Sequence, residues 1–224
     1  MKRLMLVLLC ALSACVTVPR YQEAKTQAVM IESDTAAGSG VVLNEHCVLT
    51  AAHVMGNAQD FAVLTSEEKR YEMHPLVKDD KADIGVICAK EALHIAPVVF
   101  ASHMPAQWDP VFTIGYPLQN RFVLTEGKWQ ENDLVTIPDA PGNSGGGVWD
   151  ADNHYIGFVD AIAIYDLKGA TLIDFPHLTQ IVDITDIMSF LNKNHIKYTG
   201  TLPIYMDDMV KPEPLNTGTS EALA

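Results

Sequence analysis

The sequence predicts an all-β protein of barrels or sandwiches, and three observations carry that prediction. About twelve short apolar runs follow one another from Gln27 onward. They are rich in Val, Ile and Phe, and Gly, Asn, Asp or Pro separates each from the next. Almost no helical period lies between them, so sheets must supply the core. In order, the runs cover 28–32, 40–44, 47–51, 61–65, 82–89, 96–100, 109–115, 121–127, 133–137, 145–150, 155–165 and 170–175. One stretch behaves differently. Between His177 and Asn194, the apolar residues Ile181, Ile184, Ile187, Met188 and Leu191 recur at helical spacing. Pro176 stands just before them, a position that a helix start tolerates. A single C-terminal helix is therefore expected, with one face on the sheets.

Composition narrows the class. A chain of 224 residues suits one domain, or two small lobes sharing a site. At 48% hydrophobic and 19% charged residues it can bury a core. Fifteen Lys and Arg stand against 28 Asp and Glu, a net charge of −13. Such a chain repels a phosphate backbone, so no nucleic-acid partner is expected. With 14 Gly and 12 Pro, collagen-like and low-complexity readings fail. No internal repeat is visible.

The first residues read as an address. Lys2 and Arg3 precede an apolar stretch from Leu4 to Leu12, and Ser13-Ala14-Cys15 follows. The stretch is too short to span a bilayer comfortably, so a signal peptide over 1–14 is expected rather than a membrane helix. Small residues before Cys15 resemble the bacterial lipoprotein box, which implies lipidation at Cys15. The membrane partner would then be reached through that lipid, at a periplasmic membrane face or a cell surface. Residues 15–26 read as a tether, and 197–224, with scattered Pro, Gly, Asp and Thr, as a disordered tail. Cys47 and Cys88 remain in the mature part. An oxidising compartment allows a disulfide between them, and two buried thiols are the other reading.

Three segments carry chemistry: Gly38-Ser39-Gly40 with Thr50-Ala51-Ala52-His53, then Lys81-Ala82-Asp83-Ile84-Gly85, then Pro141-Gly142-Asn143-Ser144-Gly145-Gly146. Each alone is weak, because a histidine after a strand is commonly a surface residue and an Asp before one a turn residue. Together they supply a base, an orienting carboxylate and a nucleophile in the chain order His, Asp, Ser. On these motifs the chain resembles the trypsin-like (chymotrypsin-fold) serine proteases, in the bacterial Deg-type branch that carries Gly-Asn-Ser-Gly-Gly. The resemblance runs from Gln27 to Asn194 and includes Ile114-Gly115-Tyr116-Pro117 and Val123-Leu124-Thr125-Glu126-Gly127.

That resemblance implies two six-stranded antiparallel β-barrels, about 27–100 and 101–196, with the C-terminal helix on the second. It implies a serine endopeptidase acting on polypeptide substrates, with no metal and no organic cofactor. Ser144 would attack the carbonyl, His53 would take its proton, and Asp83 would hold the His53 tautomer. The N–H groups of Gly142 and Ser144 would form the oxyanion hole. The branch's strand order makes a Cys47–Cys88 bond feasible, since those strands would be antiparallel neighbours. Pro138, Asp139, Ala140, Asp160, Ala161 and Ile162 would build the specificity pocket. Pro138 on its floor and Ile162 on its wall imply a preference for small or medium apolar side chains. Asp139 and Asp160 are read as outward, solvated residues. If Asp139 faced the pocket, a basic side chain would be favoured. If Asp160 approached Asp83, the two carboxyls would raise each other's pKa. Neutral Asn143 cannot pair with a newly cut N-terminus, so activation by N-terminal insertion is not expected. The chain shows no segment resembling the peptide-binding domain common in this branch.

Two other readings compete. The Gly-x-Ser-x-Gly run also fits an α/β-hydrolase elbow, with His177 or His195 as base. That elbow must open a helix, which Gly145-Gly146-Gly147 does poorly, and strand–helix alternation is missing. A catalytically silent or narrowly self-processing lipoprotein using the same fold as a binding module is the second, and the complete triad argues against the silent form.

Overall fold

The computed structural model describes residues 21–119, 122–166 and 172–200, and the side chains at 162–166 and 172–176 lie outside that description. The expected signal peptide, Cys15 and everything past Gly200 also lie outside the described residues.

Two barrels account for most of the chain. The first uses β1 (Ala28–Glu32), β2 (Ala37–Val42), β3 (Cys47–Ala51), β4 (Phe61–Leu64), β5 (Arg70–Asp79) and β6 (Ile84–Cys88). They close in the order β1-β2-β3-β6-β5-β4, because β1 pairs with both β2 and β4. Ile31, Leu43, Leu49, Met73, Ile84 and Ile87 are fully buried. The second uses β8 (Pro110–Gly115), β9 (Val123–Lys128), β10 (Leu134–Val135), β11 (Gly147–Asp150), β12 (Tyr155–Asp166) and β13 (Leu172–Asp183), in the order β10-β13-β12-β11-β8-β9. Its two ends meet through a bridge between Trp129 and Val135, with Thr136 N donating to Lys128 O at 2.9 Å and Gln130 N to Leu134 O at 2.7 Å. Phe112 stacks on Trp149 at 5.6 Å between ring centroids in its core.

The strand that sequence reasoning missed is β5. Its inward positions are Tyr71 and Met73, but charged residues and Pro75 interrupt the apolar pattern. The structure accommodates Pro75 at an irregularity in the pairing with β6, where a missing N–H is tolerated. The run at 96–100 belongs to the other sheet. Its short strand β7 (Val99–Phe100) pairs with Tyr155 of β12 and with β14 (Thr199–Gly200). Residues 197–200 are thus part of the fold, with the Tyr198 ring 4.8 Å from Phe100.

Among the described residues the α-helices are short. Where the sequence suggests a tether, α1 (Gln22–Gln27) buries Ala24 and docks on the second barrel, with the Tyr21 ring edge-on to Phe112 and its hydroxyl bonded to Glu126. A second helix, α2 (Ala52–Met55), follows β3 directly. The C-terminal helix, α3 (Ile184–Lys193), begins seven residues later than the periodicity implies, since 177–183 is strand. Asp183 decides the boundary: its carboxylate accepts from Thr185 N and Asp186 N and caps the helix. Ile181 belongs to the strand, while Ile184, Ile187, Phe190 and Leu191 form the buried helix face. Among the described residues no helix is long and apolar enough to cross a membrane.

Cys47 and Cys88 lie directly opposite on β3 and β6 and are bonded, with a sulfur–sulfur distance of 2.09 Å. The bond closes a separation of 41 residues and ties the strand leading to His53 to the strand leaving Asp83. In the chain-entropy account such a crosslink contributes about 4 kcal/mol.

Candidate active site

Three chain reversals deliver the three expected side chains. His53 lies one residue into α2, whose entry is set when Ala52 N donates to the Asp83 carbonyl at 3.1 Å. Asp83 sits just before β6 in the left-handed region, at φ +53°, a conformation that Asp tolerates better than most residues. That backbone aims its carboxylate back at α2. Oδ1 accepts from the His53 backbone N–H at 2.9 Å, and Oδ2 lies 2.7 Å from His53 Nδ1. The imidazole is therefore oriented with Nδ1 on the carboxylate and Nε2 free of it.

Ser144 comes from the second barrel, in the loop between β10 and β11. Ala140 to Asn143 form a turn closed by Asn143 N donating to Ala140 O at 3.0 Å. Pro141 is its second residue and Gly142 its third, at φ +101°, which is the type II pattern. A β-carbon at 142 would stand 2.7 Å from Tyr116 O. Among the described residues, the N–H groups of Gly142 and Ser144 donate to no backbone or side-chain acceptor. They are thus available to a ligand.

Ser39 holds this turn against the first barrel, and sequence reasoning had given it no role. It is fully buried. Its N–H donates to Ser144 O at 2.9 Å, its hydroxyl donates to Gly142 O at 2.6 Å, and that hydroxyl accepts from Tyr116 N at 2.9 Å. Thr50 Oγ1 donates to Ser39 O at 2.7 Å. The only signal for this in the sequence is a small polar residue between two glycines, which is too common to read.

The Ser144 hydroxyl donates to the Asp160 carbonyl at 3.3 Å, and among the described residues no hydrogen bond joins it to His53. A bond of that length is weak, so little opposes rotation of the hydroxyl about Cα–Cβ.

The aspartates behave differently from expectation. Neither Asp139 nor Asp160 is an outward, solvated residue. Asp139 is partly buried, its Oδ1 accepts from Ala140 N at 2.8 Å, and it lies within reach of the Asn143 side chain. Burial pushes its pKa up. Asp160 is partly buried and placed against Asp83 and His53. Of the other residues expected to line the pocket, Pro138 and Ala161 are exposed and Ala140 is intermediate. Ile162 lies in β12, with its side chain outside the described residues.

Charge follows from these positions. The hydrogen bond to Asp83 raises the His53 pKa above 6.5; burial opposes it, and the negative charges of Asp83, Asp160 and Asp139 add to it. Burial pushes the Asp83 carboxyl up, but hydrogen bonds from the His53 side chain and backbone outweigh it and hold Asp83 below the usual carboxylate range. Burial first, then the hydrogen bond and charge of Asp83, push Asp160 up to about 6. One ligand atom from each of His53, Asp83 and Asp160 lies within 4.8 Å of the others. His53 and Asp83 satisfy each other through the bond between Nδ1 and Oδ2. A cation there would have to break the bond between Nδ1 and Asp83. A separate cavity of about 1070 Å³, lined by 32–37, 57–62 and neighbouring residues of β5, includes none of His53, Asp83 and Ser144.

Comparison with known proteins agrees with this fold. Residues 38–158 match the trypsin-like peptidase domain, and the chain belongs to that family. It is 29% identical over 167 residues to "Serine protease HtrA-like" of Staphylococcus epidermidis, covering 62% of this chain and 28% of that protein. It is 31% identical over 155 residues to "Probable periplasmic serine endoprotease DegP-like" of Buchnera aphidicola, covering 61% and 32%. The chain thus spans about a third or less of the length of these curated relatives. Among solved structures, the Rv3671c protease of M. tuberculosis in its inactive form superposes with a TM-score of 0.67 at 20% identity, over 78% of this chain and 92% of that one. A serine endoprotease from Yersinia pestis gives 0.67 at 18% identity, over 79% and 65%. At these identities the structures speak for the fold alone.

Proposed function

We propose that the protein is a serine endopeptidase whose triad is His53, Asp83 and Ser144. The observation that carries this is the doubly hydrogen-bonded Asp83–His53 pair, together with a Ser144 whose own N–H and that of Gly142 donate to no acceptor among the described residues. Neutral His53 accepts the Ser144 proton as the hydroxyl attacks the substrate carbonyl. The bond to Asp83 keeps the proton of Nδ1 in place and stabilises the imidazolium that forms. The oxyanion draws on the N–H groups of Gly142 and Ser144, each such donor being worth roughly 3–4 kcal/mol of transition-state stabilisation. Protonated His53 then delivers its proton to the leaving amine. Ser144 must first leave the Asp160 carbonyl, and an entering substrate chain is the natural competitor for that group. The lipid at Cys15 and an extracytoplasmic, envelope-facing location belong to this proposal, supported by the leader-like residues 1–15.

The test is covalent. Folded protein carrying residues 16–224 is treated with a fluorophosphonate and its intact mass read. A stoichiometric adduct, lost in Ser144→Ala, is the expected result. Absence of an adduct on folded protein would sink the reading and leave a binding module built on the same fold.

Specificity is proposed for small or medium apolar residues before the cut. Asp139 is partly buried, and its Oδ1 accepts from Ala140 N–H instead of standing fully open to a substrate cation. Cleavage of a peptide library checks this: products ending mainly in Val, Ala or Leu are expected, and products ending mainly in Lys or Arg would refute it.

A further inference from the structure

Asp160 touches the site at both ends. Its backbone carbonyl receives the Ser144 hydroxyl, and its carboxyl lies within hydrogen-bonding reach of Asp83. The backbone explains how a strand residue gets there. Val159 of β12 pairs with Ile181 and Ala161 with Gln180, so Asp160 is the extra residue of a β-bulge. A bulge bends the strand and re-aims a side chain. Here the side chain turns from the second barrel toward the first, onto the Asp83–His53 pair.

Two partly buried carboxyls with oxygens within 4.8 Å of each other favour keeping one proton between them. Asp83 cannot be its owner, because both its oxygens accept from His53. The geometry points to Asp160 as a positioning residue that holds the Asp83 carboxylate on His53 by donating a carboxyl hydrogen bond to it. This rests on the triad reading and adds a member to it.

The charged groups facing Asp160 are Asp83 before β6, His53 on α2 and Asp139 from the loop ahead of Gly142. Burial and Asp83 raise its pKa to about 6, while Asp83 raises that of His53 above 6.5. The cluster therefore titrates as one unit. When a single dissociable proton remains, it sits on His53 or on Asp160. Only the second arrangement gives a neutral base together with a supported Asp83. Removing that last proton leaves two carboxylates facing each other, and Asp83 loses its donor. Activity is thereby confined to the pH window in which that last proton is held, and it falls on the alkaline side.

The test measures the rate constant for fluorophosphonate labelling of Ser144 against pH in wild type, Asp160→Asn and Asp160→Ala. It needs no knowledge of the natural substrate. Wild type is expected to give a bell that falls on the alkaline side. In Asp160→Asn the amide donates to Asp83 at every pH and carries no charge. Its profile should rise to a plateau, with its acid limb at lower pH than wild type because a negative charge beside His53 is gone. In Asp160→Ala the profile keeps that shape at roughly tenfold or more lower rate, as expected for losing one hydrogen bond to a charged group. Identical profiles for wild type and Asp160→Asn would overturn the proposal while leaving the triad standing. If wild type does not label at all, the triad reading fails separately. The His53 titration followed by NMR then still decides whether Asp160 couples to it: an unchanged midpoint in Asp160→Asn refutes the coupling, and a lowered one supports it.

Discussion

Replacing Asp83 by Asn is expected to lower the fluorophosphonate labelling rate, and any measured kcat/KM, by about 10⁴ while leaving the fold intact. The two halves of that statement come from the same few atoms. Asn keeps an oxygen that can accept from the His53 backbone N–H, as Asp83 Oδ1 does at 2.9 Å. Asn also adopts a positive φ readily, so the backbone at +53° is not disturbed. What changes is the group facing Nδ1. An amide NH₂ there donates where the carboxylate accepted, so the imidazole must carry its proton on Nε2. That is the nitrogen required to take the proton of Ser144. The base is then blocked by its own tautomer, and the imidazolium has lost its counter-charge. Circular dichroism and the urea midpoint should stay close to wild type, and a large fall in stability would show that Asp83 is mainly a structural cap on α2. The acid limb should also move to lower pH, since the hydrogen bond to Asp83 is the largest cause raising the His53 pKa. A limb that does not move would mean that His53 is not the titrating base.

How far the sequence reveals this site depends on the range of the interaction concerned. His53, Asp83 and Ser144 are legible because each sits in a short motif whose chain reversal is locally encoded. Pro141-Gly142 writes its own turn, since Pro sets the second position and only Gly suits the third. The β-runs are legible by alternation and turn residues, except β5, where Pro75 and charges hide two buried positions. The start of α3 is ambiguous because Ile181 and Ile184 satisfy a helical spacing, and only the Asp183 cap separates strand from helix. Asp160 and Ser39 are beyond local reading. An Asp in an apolar strand is normally outward, and only a bulge, fixed by how β12 pairs with β13, turns it inward. Ser39 acts through bonds to residues about a hundred positions away, which no local pattern encodes.

Gly145→Ala should fail in the opposite way, losing structure and activity together. Gly145 adopts φ +81°, and a β-carbon there would lie 2.2 Å from Ser39 O and 2.3 Å from Thr50 Oγ1. The first contact is with backbone and the second with a buried side chain that is itself bonded to Ser39 O, so neither can give way as a flexible surface side chain would. The left-handed backbone alone costs an alanine about 1–2 kcal/mol, and the overlap adds to it. A total loss above about 4 kcal/mol is expected, in the range reserved for gross steric conflict. Urea denaturation of purified protein measures it, and a midpoint equal to wild type would show that the barrels can part slightly without consequence. The position explains why the loss is joint. Ser39 and Thr50 belong to the first barrel, while Gly145 N donates to Val159 O of the second at 2.8 Å. The contact at Gly145 is therefore the seam between the barrels. Relief of the overlap requires moving one barrel from the other, and the same movement separates His53 and Asp83 from Ser144. Asp83→Asn disables a site whose frame is intact, whereas Gly145→Ala disturbs the frame itself; a triad divided between two barrels requires both to be sensitive.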